Sequence, residues 1–66
     1  MAHIILNGTP TDTEHQTLAQ LIHALDLTNK RFAVEVNQHI VSKSKLEQYV
    51  IQDQDQIEVI HAVGGG

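Results

Sequence analysis

Cysteine and tryptophan are both absent from this 66-residue chain. Without thiols there is no disulfide framework, no thiolate zinc site, no iron–sulfur ligation and no side-chain sulfur to carry or exchange. Basic residues are scarce: Lys30, Arg31, Lys43 and Lys45 stand against eight acidic residues, giving a formal charge of −4. A nucleic-acid partner needs a basic stripe that releases counterions, and these four residues form none. No apolar run approaches the roughly 18 residues of a membrane span. No charged-then-apolar leader opens the chain. The expectation is a soluble, cytoplasmic protein. There is a single proline, Pro10, and no proline-rich linker, charge block or internal repeat divides the chain.

Length narrows the reading further. A chain this short buries only roughly 60% of its unfolded surface, so a cleft deep enough for substrate and catalytic groups would have to come out of the core itself. A carrier, a protein substrate or a binding module is expected before an enzyme acting alone.

The residues that are present fall into a clear order. His3 to Leu6 is a short apolar run ending in Asn7-Gly8, a dipeptide that favours tight hairpin turns. Thr9 to Thr13 would return as a polar strand, and Pro10, lacking a ladder donor, places it at a sheet edge. Thr17-Leu18-Ala19-Gln20 is a capping-box pattern. Leu18, Leu21, Ile22 and Leu25 then recur on one helical face, with Gln20, His23 and Asp26 turned to solvent. Phe32 to Val36 and His39 to Val41 read as a second hairpin around Asn37-Gln38. Ser44 to Tyr49 suggests a short helical turn packing Leu46 and Tyr49. Gln52 to Gln56 reads as a surface turn, and Ile57 to Val63 as the last strand. The order β-β-α-β-β-turn-β implies an α+β domain over residues 1–63, a mixed sheet gripping one main helix. Residues 64–66 form a flexible glycine tail.

That tail, Gly64-Gly65-Gly66, is the feature most suggestive of chemistry. Glycine has no side chain to obstruct passage through a narrow channel, and a strand just before it would hold the arm on a firm base. The competing reading is a frayed end without a role. A carboxylate is a poor acyl donor until its oxygen is made a better leaving group, for example by adenylation, after which a sulfur nucleophile can leave a thiocarboxylate. The chain has no phosphate-cradling glycine loop and no Mg²⁺-binding carboxylate set, so ATP and its Mg²⁺ would have to be handled by a partner. The histidines His3, His15, His23, His39 and His61 lack metal-ligand spacing, and no metal is assigned. Asp53 and Asp55 lack the glycine and distal glutamate of a calcium loop and read as turn residues. Ser42 and Ser44 have no catalytic setting around them.

With these motifs in place, the chain resembles the ThiS family, sulfur carriers of thiazole synthesis that share the ubiquitin-like β-grasp fold. The resemblance spans essentially the whole chain. It rests on Ile5-Leu6-Asn7-Gly8, on Thr17-Leu18 opening the Leu21-Ile22 helix, and on Val34-Glu35-Val36-Asn37 with Ile40-Val41. Asp55 to Val59 and Val63-Gly64-Gly65-Gly66 complete it. Two departures from the family pattern stand out: Ser42-Lys43 replaces a Pro-Arg-like pair, and Gln54 stands where a glycine is frequent between two aspartates. The resemblance implies that Gly66 is adenylated by a ThiF-type enzyme, sulfurated through a donor such as a cysteine desulfurase, and presented to a ThiG-type thiazole synthase. A molybdopterin-synthase-type carrier, a ubiquitin-like modifier and a plain interaction module remain alternatives. Strand parity adds a partner-binding face of Ile5, Ile60 and Ala62, pointing away from the helix, and Val63 beside the tail is counted with it as a partner-binding residue.

Overall fold

Asn7 and Gly8 both adopt positive φ, 50° and 82°, which is the backbone a two-residue hairpin turn requires. β1 (Ala2–Leu6) therefore reverses at once into β2 (Thr9–Thr13), paired from Leu6↔Thr9 to Ala2↔Thr13. The computed structural model describes residues 1–61 in these terms. Asn37 and Gln38, at φ 51° and 73°, make the equivalent turn between β3 (Phe32–Val36) and β4 (His39–Val41). β5 (Gln56–His61) enters the middle, so the sheet runs β2-β1-β5-β3-β4. β5 is parallel to β1 and antiparallel to β3, which makes the sheet mixed and puts Pro10 on an edge strand as expected.

One helix, α1 (Leu18–Ala24), lies across the sheet. Its capping box is formed: the Thr17 hydroxyl accepts from the Gln20 N–H at 3.2 Å, and the Gln20 carboxamide accepts from the Thr17 N–H at 3.3 Å. Leu18, Leu21 and Ile22 of α1 meet Ile4, Val34, Val36, Ile57 and Val59 of the sheet, and Leu46 and Ile51 of the last connection close the core. Lys43–Lys45 forms a 3-10 turn that seats Leu46. Burial alternates along β5 through Ile60, with Ile57 and Val59 buried and Gln56, Glu58 and Ile60 exposed, and His61 at the strand end is exposed as well.

Three expectations need correction or trimming. Leu25 does not complete the helical stripe; it is the C-cap and is 38% exposed. Asp26 takes φ 60°, which ends the helix, and Leu27 returns to pack on the core with its N–H donating to the Ile22 carbonyl at 3.3 Å. The last strand begins at Gln56, and Ala62 and Val63 lie outside the described residues. Asp55 is not a surface turn residue, since it is only 5% exposed. Its carboxylate accepts from Asn37 Nδ2 at 3.0 Å, Tyr49 Oη at 2.9 Å and the Gln52 N–H at 2.8 Å. Burial, and then the bond to Asp55, pushes the Tyr49 phenol above its ordinary value.

Gln54 occupies the left-handed region at φ 73°, where a Cβ is crowded and glycine is not. Its backbone N–H donates to the His3 carbonyl at 2.6 Å, a bond that any residue retains. Replacing Gln54 with Gly is expected to raise stability by up to about 1 kcal/mol, the strain relieved less the glycine's extra unfolded-state entropy. Urea unfolding of the two proteins at equal slope checks this, and a lower midpoint for the variant would refute it.

Candidate functional site

β5 is the last described element before the three C-terminal glycines of the sequence, and its surroundings fix how firmly the strand itself is held. β1 stops at Leu6, level with Ile57, leaving the rest of β5 without a strand on that side. Asn7 takes over. Its N–H donates to the Ile57 carbonyl at 2.9 Å and its Oδ1 accepts from the Val59 N–H at 2.8 Å, so one turn residue extends the ladder by a further step. On the other side β3 stays in register to the end of β5, with Ala33 opposite Ile60 and Phe32 opposite His61. Gly64, Gly65 and Gly66, with Ala62 and Val63, lie outside the described residues.

The sheet face opposite α1 carries Ile5 and Ile60, as parity predicts, and no helix of the described residues covers it. Ile60 is 57% exposed and Ile5 half-buried. They do not form one patch. Ile5 pairs with Gln56, four residues before Ile60, a separation of about 13 Å along the strand, with Glu58 between them. Ile60 is instead accompanied by Ala33, and Glu58 stands directly opposite Glu35. Ile40, 76% exposed and opposite Glu35, belongs to the same face and was not singled out from the sequence because its strand is only three residues long.

His3 holds the far edge of this face. Its backbone N–H donates to Asp53 Oδ1 at 2.7 Å, and its ring Nδ1 contacts the Asp12 carboxylate of β2, which is opposite it in register. This pairing, the Asn7 latch and the Asp55 network escaped sequence reading, because each joins residues far apart in the chain. No three His, Asp or Glu side chains gather at metal-ligating distance among the described residues. Nor is any helix among them long and apolar enough to cross a membrane.

Comparison with known proteins places this architecture. The ThiS family profile matches residues 4–66. The chain belongs to the ThiS family. A sulfur carrier protein ThiS from Bacillus subtilis (strain 168) is 38% identical over 50 residues, covering 76% of each chain. A thiazole synthase from Magnetococcus marinus is 42% identical over 64 residues, which are 96% of this chain but 20% of that protein. The crystal structure of a thiamine biosynthesis protein (ThiS) from Geobacter metallireducens superposes with a TM-score of 0.79 at 22% identity, covering 97% of this chain and 99% of that one. That likeness shows the fold: this ThiS-family chain is a ubiquitin-like β-grasp domain, a five-stranded mixed sheet on one helix.

The His3 ring is held above the ordinary histidine pKa by its hydrogen bond to Asp12, then by the charges of Asp12 and Asp53; the N-terminal ammonium and slight desolvation oppose this. A raised folded pKa means that the stabilising pair is fully present below the unfolded histidine value and is lost as pH rises through the folded one. In an NMR titration the His3 ring is expected to titrate higher in the folded chain than in urea, and Asp12→Asn is expected to remove most of the difference. Equal midpoints in the two states would refute the assignment.

Proposed function

We propose that this chain is a sulfur carrier of thiamine biosynthesis, working in the cytoplasm with its Gly66 carboxylate as the reactive group. The observation that carries this reading is the match to the ThiS family running through residue 66, the last of the three glycines. In the proposed cycle the Gly66 carboxylate attacks the α-phosphorus of ATP on a ThiF-type enzyme, and Mg-bound pyrophosphate leaves. A persulfide carried by a donor such as a cysteine desulfurase then attacks the acyl carbon and displaces AMP, and a thiol cleaves the resulting acyl disulfide, itself becoming part of a disulfide and leaving a C-terminal thiocarboxylate. The chain holds no cofactor in this scheme and does no catalysis; ATP and Mg²⁺ are bound by the activating partner.

The rooted strand supports such a role physically. A long reach and a narrow tip are useful only if the base is fixed, and β5 is hydrogen-bonded on both flanks up to Val59. A thiazole synthase is the receiving partner in this reading. The presence of a stretch 42% identical to this chain within one fifth of the Magnetococcus marinus thiazole synthase supports the pairing.

Removing Gly66 is expected to leave thermal stability unchanged and to abolish thiocarboxylate formation. Intact-mass measurement after incubation with the activating enzyme, ATP and a sulfur donor reads this directly. Sulfuration of the shortened chain at the normal rate would overturn the proposal, and higher-mass conjugates in extracts would favour a protein modifier instead.

Within the same reading, Ile60, with Ala62 and Val63 beyond it, contacts the partners that receive the tail. Ile60→Glu leaves no cavity, because the side chain projects from the uncovered face. It is expected to keep the melting temperature within a few degrees. Binding to the activating enzyme and to thiazole synthase should weaken about tenfold or more. Titrations showing unchanged affinity for both would place the contact elsewhere.

A further inference from the structure

Asn7-Gly8 is used in the fold as a turn, yet the pair carries a reactivity of its own. An asparagine followed by glycine is open to attack on its side-chain carbonyl by the next residue's backbone nitrogen, since glycine has no Cβ to shield that nitrogen. Here nothing lies within 4 Å of the position a Gly8 Cβ would take, so no other part of the fold covers that side of Gly8. Two restraints oppose closure. The Asn7 carboxamide is drawn onto β5 by the Val59 N–H, 2.8 Å from Oδ1, and the backbone is held at φ 50° and 82° by the Leu6↔Thr9 pairing.

We propose that Asn7 is a deamidation site restrained by its own structural contact, so that modification reports release of the turn from β5. In the reaction the Gly8 nitrogen bonds to Asn7 Cγ and loses its proton, the Cγ–Nδ2 bond breaks, and ammonia departs. Water then opens the resulting succinimide at either carbonyl, leaving an aspartyl or an isoaspartyl residue at position 7. No oxidant or further reactant takes part.

The two products have opposite consequences. An aspartyl carboxylate keeps an acceptor oxygen in the place of Oδ1 and continues to hold the Val59 N–H. An isoaspartyl linkage routes the backbone through the former side chain, adding a methylene to a turn whose register has no slack. It also moves the acceptor that extends the ladder along β5, since the former side-chain carbonyl becomes part of the backbone. The damage falls on the strand that precedes the tail rather than on a remote loop.

Asn37 supplies an internal comparison. It also has positive φ, 51°, and its Oδ1 accepts from the Gln56 N–H, but it is followed by Gln38, whose Cβ shields the nucleophilic nitrogen. Asn29 is followed by Lys30 and is shielded in the same way.

The full chain is incubated at mildly alkaline pH with and without denaturing urea, then digested and mapped by mass spectrometry for amide-to-acid conversion and isoaspartate. Conversion is expected at position 7 in urea, with isoaspartate the larger product, and at least about tenfold more slowly in the native chain, because ring closure must wait for local opening. Positions 29 and 37 are expected to lag in both. Asn7→Asp is expected to melt close to the parent, whereas isolated isoaspartyl material melts lower. Equal rates at position 7 in native and denaturing conditions would overturn the restraint, and no conversion there in urea would overturn the site.

Discussion

The structure depends on the insertion of β5 between β1 and β3. That strand is paired with β3 along residues 57–61 and with β1 and then Asn7 as far as Val59, so through Val59 it shifts only at the cost of unsatisfied groups on both sides. Ile57 is fully buried and Val59 nearly so, so the same strand also supplies the centre of the core. The two hairpins are joined only through it, and α1 has a continuous apolar surface to cover only once it is in place. In the function proposed above, the reactive carboxylate is the one that follows this strand in the chain.

Asp55 sets where that strand begins. Its buried carboxylate gathers Asn37 from the β3–β4 turn, Tyr49 from the connection and the Gln52 N–H from its own loop. Asn37 in turn exchanges bonds with Gln56, accepting its N–H at 3.0 Å and donating to its carbonyl at 2.8 Å. A buried charge is tolerable only when its lone pairs are occupied, and three donors do that here. The network therefore fixes the register of β5 from its first residue, and the Asn7 latch maintains it further along.

Local features of the chain were legible in advance because they obey short-range rules. Asn7-Gly8 and Asn37-Gln38 announced hairpins, Thr17 and Gln20 announced a capped helix, and the alternation of Ile57, Glu58, Val59 and Ile60 gave the two faces of the last strand. The glycine tail suggested acyl chemistry, and it lies outside the described residues. What escaped were features made by distance. Asp55 resembles any turn aspartate until residues 37, 49 and 52 are brought around it. Leu25 fits the helical period, but a left-handed Asp26 ends the helix first. The separation of Ile5 from Ile60 follows from the parallel register of β1 and β5, which no local pattern encodes.

The central position of β5 bears on how the protein comes into being. In the chain this strand follows all four of its companions, so during synthesis both hairpins and the helix emerge before the piece that unites them. Until then β1 and β3 each present an open edge, and the apolar faces that meet in the finished core have no shared partner. The pairing of β1 with β5 spans about fifty residues, and such distant contacts are slow to form and late to reward the chain. A nascent chain that stalls before β5 consequently lacks the strand that unites its two hairpins, and it keeps two open sheet edges.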